Sequence, residues 1–83
     1  KYTLHQLEIF VRLSRTLSVT QTAEELNLSQ PAVSIQLKNF QSNFAIPLTE
    51  IVHKRLYLTE FGKTVALKAA EVLRSTEGVN QCL

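Results

Sequence analysis

The chain has 83 residues, a formal charge of +2 and a hydrophobic share of 45%, with no Trp, no Met and no Asp. A chain of this length supports one small domain that buries only about 60–65% of its unfolded surface, so association would strengthen it. A single cysteine, Cys82, excludes an intrachain disulfide and fits a reduced cytosolic setting, no apolar run is long enough for a membrane span or reads as a signal peptide, and the lack of Asp excludes a Ser-His-Asp triad.

The first predicted helix opens at Thr3, where Thr3-x-x-Gln6 has the form of a capping box. Leu4, Leu7, Phe10, Val11, Ser14 and Leu17 share one face, and Ile9 and Leu13 form a second apolar patch. A helix with two apolar faces needs two neighbours. The second helix begins at Ser18, and Gln21 three residues later repeats the capping-box spacing. Val19, Ala23 and Leu26 point inward, Glu24 and Glu25 outward, and Asn27-Leu28 makes a turn with Leu28 plugging the core.

A third helix starts near Ser29, a suitable N-cap, and Pro31 is tolerated in its first turn because the backbone N–H groups there lack helical partners. At about 100° per residue, Val33, Leu37, Phe40 and Phe44 fall on one narrow stripe. Pro31, Ile35, Lys38, Asn39 and Ser42 occupy the opposite face, and no acidic residue stands between Glu25 and Glu50. Patterning alone fits an ordinary amphipathic core helix equally well. Two helices joined by so short a turn form a helix-turn-helix, whose second helix enters the DNA major groove. The missing acids remove like-charge repulsion from phosphates, which favours DNA.

Residues 45–47 break the helical period. Residues 48–51 and 56–58 are short strand-forming segments joined through Val52-His53-Lys54-Arg55, and they predict a two-stranded wing that lacks a Gly-containing turn. Thr59 then caps a last helix, with Glu60 complementing its dipole. Its stripe runs through Phe61, Val65, Ala66, Ala69, Val72, Leu73 and Thr76, and reaches Leu83 if helix persists past Gly78. Lys63, Lys68, Glu71 and Arg74 lie opposite, with Leu67 an apolar exception. Phe61 and Val65 are expected to pack on the domain, whereas Val72, Leu73 and Thr76 need a partner helix.

These residues also carry a family resemblance. Leu28-Ser29-Gln30-Pro31-Ala32-Val33-Ser34, then Gln36-Leu37, is similar to the recognition-helix motif of LysR-type transcriptional regulators. The likeness extends upstream through Leu7, Phe10, Ser18, Ala23 and Leu26, and downstream through Pro47-Leu48, Leu58-Thr59 and Gly62. It implies a bacterial winged helix-turn-helix over residues 1–58 and a dimerising linker helix over residues 59–83, without the C-terminal effector-binding domain. The chain departs from the family pattern at Gln21-Thr22 (usually Arg-Ala), Phe40-Gln41 (Leu-Glu), Thr49 (Phe), Ile51 (Arg) and Phe61 (a small residue). The wing is therefore less basic than is usual. Ser34-Ile35-Gln36, with Leu56-Tyr57-Leu58-Thr59-Glu60, resembles members that control carbon-fixation genes.

An enzyme is not expected. His5 falls on an exposed helix face and His53 in the wing, and the isolated Gly62 and Gly78 make no phosphate-cradling loop. The predicted DNA-facing set is Ser29, Gln30, Pro31, Ser34, Ile35 and Lys38 on the recognition helix, with His53, Lys54 and Arg55 in the wing. Gln pairs bidentately with adenine, Ser bonds bases or phosphate, and an apolar group meets the thymine methyl. Ile35 sits centrally on this face, where a thymine methyl would explain it, although scattered surface hydrophobes are common. Val65, Ala69, Val72, Leu73 and Thr76 are the predicted dimer contacts. The expectation is thus a mostly α fold: a winged helix-turn-helix with a three-helix core, a short two-stranded wing and a long linker helix. It would bind double-stranded DNA at a pseudo-palindromic operator as a cytoplasmic homodimer, with no cofactor, metal or membrane. The alternative is a winged-helix module that docks on another protein through the same face, which a salt titration separates from DNA binding.

Overall fold

Helix α1 (Leu4–Thr16) starts where the sequence places its cap. The structure, a computed structural model, describes residues 2–82, with side chains described for residues 2–75. The Gln6 N–H donates to Thr3 Oγ1 at 3.1 Å and the Thr3 N–H donates to Gln6 Oε1 at 3.1 Å, so both orphan donors are satisfied. The helix ends at Leu17, whose φ of 53° is left-handed. That cap turns Leu17 off the stripe and leaves it 38% exposed, and Leu4, a turn ahead of the first buried residues, is exposed too. The period places both inward, which the structure corrects.

Helix α2 (Val19–Leu26) is capped by Ser18, whose hydroxyl accepts from the Gln21 N–H at 3.0 Å. The expected reciprocal half of that box does not form. The Ser18 N–H donates instead to Thr16 Oγ1 at 3.1 Å, which frees the Gln21 amide to donate to Glu25 Oε2 at 3.1 Å. Asn27 ends α2 at φ 57°, a conformation asparagine tolerates better than most residues. Helix α3 (Gln30–Gln41) follows, with the Ser29 hydroxyl accepting from the Ala32 N–H at 3.2 Å and Pro31 in the first turn.

The core is organised around α1. One face joins Leu7, Phe10, Val11 and Leu13 to Phe40, Leu48, Ala66 and Ala69, while Ile9 meets Ala23 and Val33 on another. The predicted second patch of Ile9 and Leu13 is thus divided between two clusters. On α3, Val33 and Phe40 are buried and Leu37 half-buried, in the order the stripe requires. The helix ends at Gln41 rather than running on to Phe44, which packs half-buried against the core from the segment that follows. Thr22, absent from the predicted inward face of α2, is fully buried, and its hydroxyl lies 2.8 Å from that of Thr16.

Strands β1 (Thr49–Val52) and β2 (Arg55–Leu58) pair antiparallel, Thr49 with Leu58 and Val52 with Arg55. Because Val52 and Arg55 pair, the expected four-residue connection contracts to His53 and Lys54. Their φ values of 51° and 65° have the sign pattern of a type I′ hairpin turn. Helix α4 (Glu60–Cys82) begins with Thr59 Oγ1 accepting from the Gly62 N–H at 2.9 Å and donating to the Pro47 carbonyl at 2.8 Å. Gly62 approaches Leu48 so closely that a Cβ would overlap the Leu48 carbonyl oxygen. Ala66 and Ala69 belong to the main core, so the first turns of α4 are part of the domain body. The stripe positions Thr76 and Leu83 and the Cys82 thiol lie outside the described side chains. Among the described residues, no helix is long and apolar enough to cross a membrane.

Candidate nucleic-acid interface

What lies behind α3 determines what it presents. With Val33 and Phe40 anchored in the core, Ser29, Gln30, Pro31, Ser34, Ile35 and Lys38 are all exposed, and Ile35 is 58% exposed. Ser29 uses its oxygen as the cap and retains an O–H to donate. Gln30 and Pro31 stand at the positive end of the helix dipole, where anions are favoured. The predicted recognition set therefore shares one open surface.

The wing stands beside that surface. Ser34 and Lys38 border a cleft of about 270 Å³ that Thr49 and Leu56 of the wing also line. A second depression brings Lys54 and Arg55 together with Leu17 and Ser18 at the α1–α2 corner. Lys38, Lys54 and Arg55 have no ion-pair partner among the described residues, so their charge is available to a ligand. His53 and Lys54 are exposed at the tip. Ile51 is 68% exposed, so the wing offers carbon where a basic residue is frequent.

Two side-chain links behind the interface escaped the sequence reading. Arg12 Nη1 on α1 donates to Glu25 Oε1 on α2 at 3.0 Å. The Gln21 hydrogen bond, and then the Arg12 guanidinium, hold the Glu25 carboxyl below its ordinary range. Gln6, 9% exposed, donates from Nε2 to Gln36 Oε1 on α3 at 3.0 Å. Its signal in the sequence was a capping glutamine placed next to Leu7 on the buried face.

The four predicted dimer contacts with described side chains do not share one open face: Val65, Ala69 and Val72 line one groove and Leu73 another depression. Ala69 is 3% exposed within its own chain's core, because small residues let α4 pack closely on α1, and it also lines the groove beside Val65 and Val72. Val65 and Leu73 are half-buried against the same core, and the Thr76 side chain lies outside those described. Val65 and Val72 line an apolar groove with Tyr2, Phe44 and Phe61.

This arrangement has known counterparts. Residues 4–63 match the profile described as bacterial regulatory helix-turn-helix protein, lysR family. The chain belongs to the lysR family. Within it, the HTH-type transcriptional activator CmpR of Synechocystis sp. is 41% identical over 81 residues, covering 98% of this chain and 24% of that protein. The RuBisCO operon transcriptional regulator of Acidithiobacillus ferrooxidans is 37% identical over 79 residues, covering 95% of this chain and 26% of that protein. The lysR-family chain thus spans about a quarter of the length of these curated relatives. The crystal structure of BenM_DBD with catB site 1 DNA matches it with a TM-score of 0.90 at 25% identity, covering 96% of this chain and 89% of that one. These relatives are named as regulators of transcription, not as enzymes.

Proposed function

We propose that this lysR-family chain reads double-stranded DNA as the operator-binding part of a bacterial LysR-type transcriptional regulator. The observation that carries the reading is the outward face of α3: exposed, free of acids, capped at Ser29 and anchored by Val33 and Phe40. On it, Gln30 has the chemistry to pair with adenine, Ser34 to bond bases or phosphate, and Ile35 to meet a thymine methyl. Ser29, Pro31 and Lys38, with His53, Lys54 and Arg55 of the wing, contact the phosphate backbone and hold the register. A solved relative of the same fold bound to DNA supports this docking.

Residues 59–83 serve as the linker helix. The groove beside Val65, Ala69 and Val72 receives the same helix of a second copy. The resulting homodimer presents two recognition helices to a pseudo-palindromic operator in the bacterial cytoplasm, and an effector-binding domain of the full regulator controls it. Relatives named for the RuBisCO operon make carbon-fixation promoters the first to test.

Affinity for duplex DNA should fall steeply and linearly with log salt, by counterion release. A flat salt response with saturable binding to a protein partner would select the protein-docking alternative. Ile35→Ala should weaken the preferred operator by about 1–3 kcal/mol and leave random DNA unaffected. Equal losses on both duplexes would remove Ile35 from base reading.

A further inference from the structure

We infer that Gln6 and Gln36 form a positioning pair that sets the rotation of α3 about its own axis and thereby the discrimination between operator and random DNA. The inference rests on the DNA reading above. Most of what holds α3 to the body is apolar: Val33 meets Ile9 and Ala23, and Phe40 lies 5.2 Å from Phe10, ring to ring. Burial of this kind is non-directional, so it fixes distance better than rotation. The bond from Gln6 Nε2 to Gln36 Oε1, at 3.0 Å, is directional and joins α1 to the middle of α3.

Gln6 cannot swing to follow a rotating α3. Its Oε1 accepts from the Thr3 N–H and its backbone N–H donates to Thr3 Oγ1, so the amide is held at its oxygen end while Nε2 reaches Gln36. Gln36 follows Ile35 directly and lies two residues from both Ser34 and Lys38. A helix with side chains has a radius of about 5–6 Å, so a 20° roll carries a side-chain tip roughly 2 Å. Hydrogen bonds to a base edge tolerate only about 0.5 Å of spread. A phosphate contact through Lys38 survives such a roll; a contact from Gln30 or Ser34 to a base does not.

The test uses the intact chain, the duplex that the parent enriches from a random-sequence library, and an unselected random duplex. Gln36→Ala and Gln6→Ala should each lower affinity for the enriched duplex by about tenfold, the scale of one lost base discrimination, with random-duplex affinity within about twofold of the parent. The double variant should be no worse than either single, because both remove the same bond. Gln6→Glu should keep the parent's discrimination: its carboxylate still accepts from Thr3, and the Gln36 amide can turn over to donate to it. If Gln6→Ala loses its cap and fails to fold, Gln36→Glu takes its place. Its carboxylate still accepts from Gln6 Nε2, so it should keep the parent's ratio of enriched- to random-duplex affinity, and loss of that ratio would make Gln36 a direct contact. Lower melting temperatures with unchanged discrimination would mean the pair is structural only, and overturn the inference. A loss in Gln36→Ala that Gln6→Ala, folded, does not share would make Gln36 a direct contact and overturn it equally. A parent that enriches no sequence overturns the DNA reading itself and the inference with it.

Discussion

The recognition helix and the wing flank one cleft but are held in different ways. Helix α3 has a cap, two buried anchors, rings of Tyr2, Phe10 and Phe44 packed around Phe40, and a side-chain bond to α1. The wing is fixed at its root, where Gln41 Oε1 accepts from the Leu48 N–H at 2.8 Å and the Thr59 N–H donates to the Leu48 carbonyl at 3.0 Å. Beyond the root, half-buried Leu56 and Leu58 are its main packing, and the His53–Lys54 tip is wholly exposed. In the proposed docking, a side chain that meets a base edge is mounted where its neighbours hold it. One that must meet a phosphate can ride on a compliant ribbon, because charge attraction tolerates displacement better than a hydrogen bond does.

The largest test of this contrast is Phe40→Ala. Phe40 is 1% exposed and its ring touches three others, so removing it should cost about 3–5 kcal/mol in urea or thermal unfolding. A loss below about 1 kcal/mol would put the anchoring of α3 on a par with that of an exposed ribbon. Gly62→Ala probes the wing's root instead. Its methyl would overlap the Leu48 carbonyl oxygen and force backbone to move, at a cost of about 1–3 kcal/mol. Amide exchange in β1 and β2 should quicken with it. Unchanged stability would show that the root is not where the wing is held.

Legibility in the sequence followed the range of the interaction. Thr3 and Ser29 announced their caps, and Val33, Leu37 and Phe40 their stripe, because each is a pattern within a few residues. The outward set from Gln30 to Lys38 followed from the same period. The wing turn was harder, since His53 and Lys54 adopt positive φ without the glycine or asparagine that marks such turns. Gln21 misled because Thr16, five residues upstream, took the backbone donor that its side chain was expected to satisfy. Gln6 with Gln36, and Ala69 with α1, are matters of tertiary packing that no local pattern encodes.

That unmarked turn supplies the third test, at the compliant end of the comparison. Left-handed backbone costs a residue with a Cβ about 1–2 kcal/mol, and glycine escapes that cost. His53→Asn with Lys54→Gly should therefore raise stability by about 1 kcal/mol, while the slope of log affinity against log salt falls by about 1 for the lost cation. A wing tip that gains no stability would be unstrained. A salt slope that stays at the parent's value would place Lys54 away from phosphate.

The smallest expected effect lies behind both regions, at the tie between α1 and α2. Gln21 and then Arg12 hold the Glu25 carboxyl below its ordinary 4.5. A lowered folded-state value means that the charged form is favoured on folding. The stability it contributes is present above the ordinary value and is lost as pH falls through the lowered one. The site is open to solvent, so the contribution is small and screened by salt. Glu25→Gln keeps a hydrogen-bonding amide but cannot titrate. Parent and variant should therefore differ modestly at neutral pH and converge as the pH falls through the lowered value, with less difference at high salt. A parent less stable than the variant at neutral pH, with the deficit closing on acidification, would mean that Glu25 is charged at a net cost. The α1–α2 corner would then owe its geometry to Thr16 and Thr22, whose hydroxyls lie 2.8 Å apart, and Thr22→Val would become the variant that loosens it.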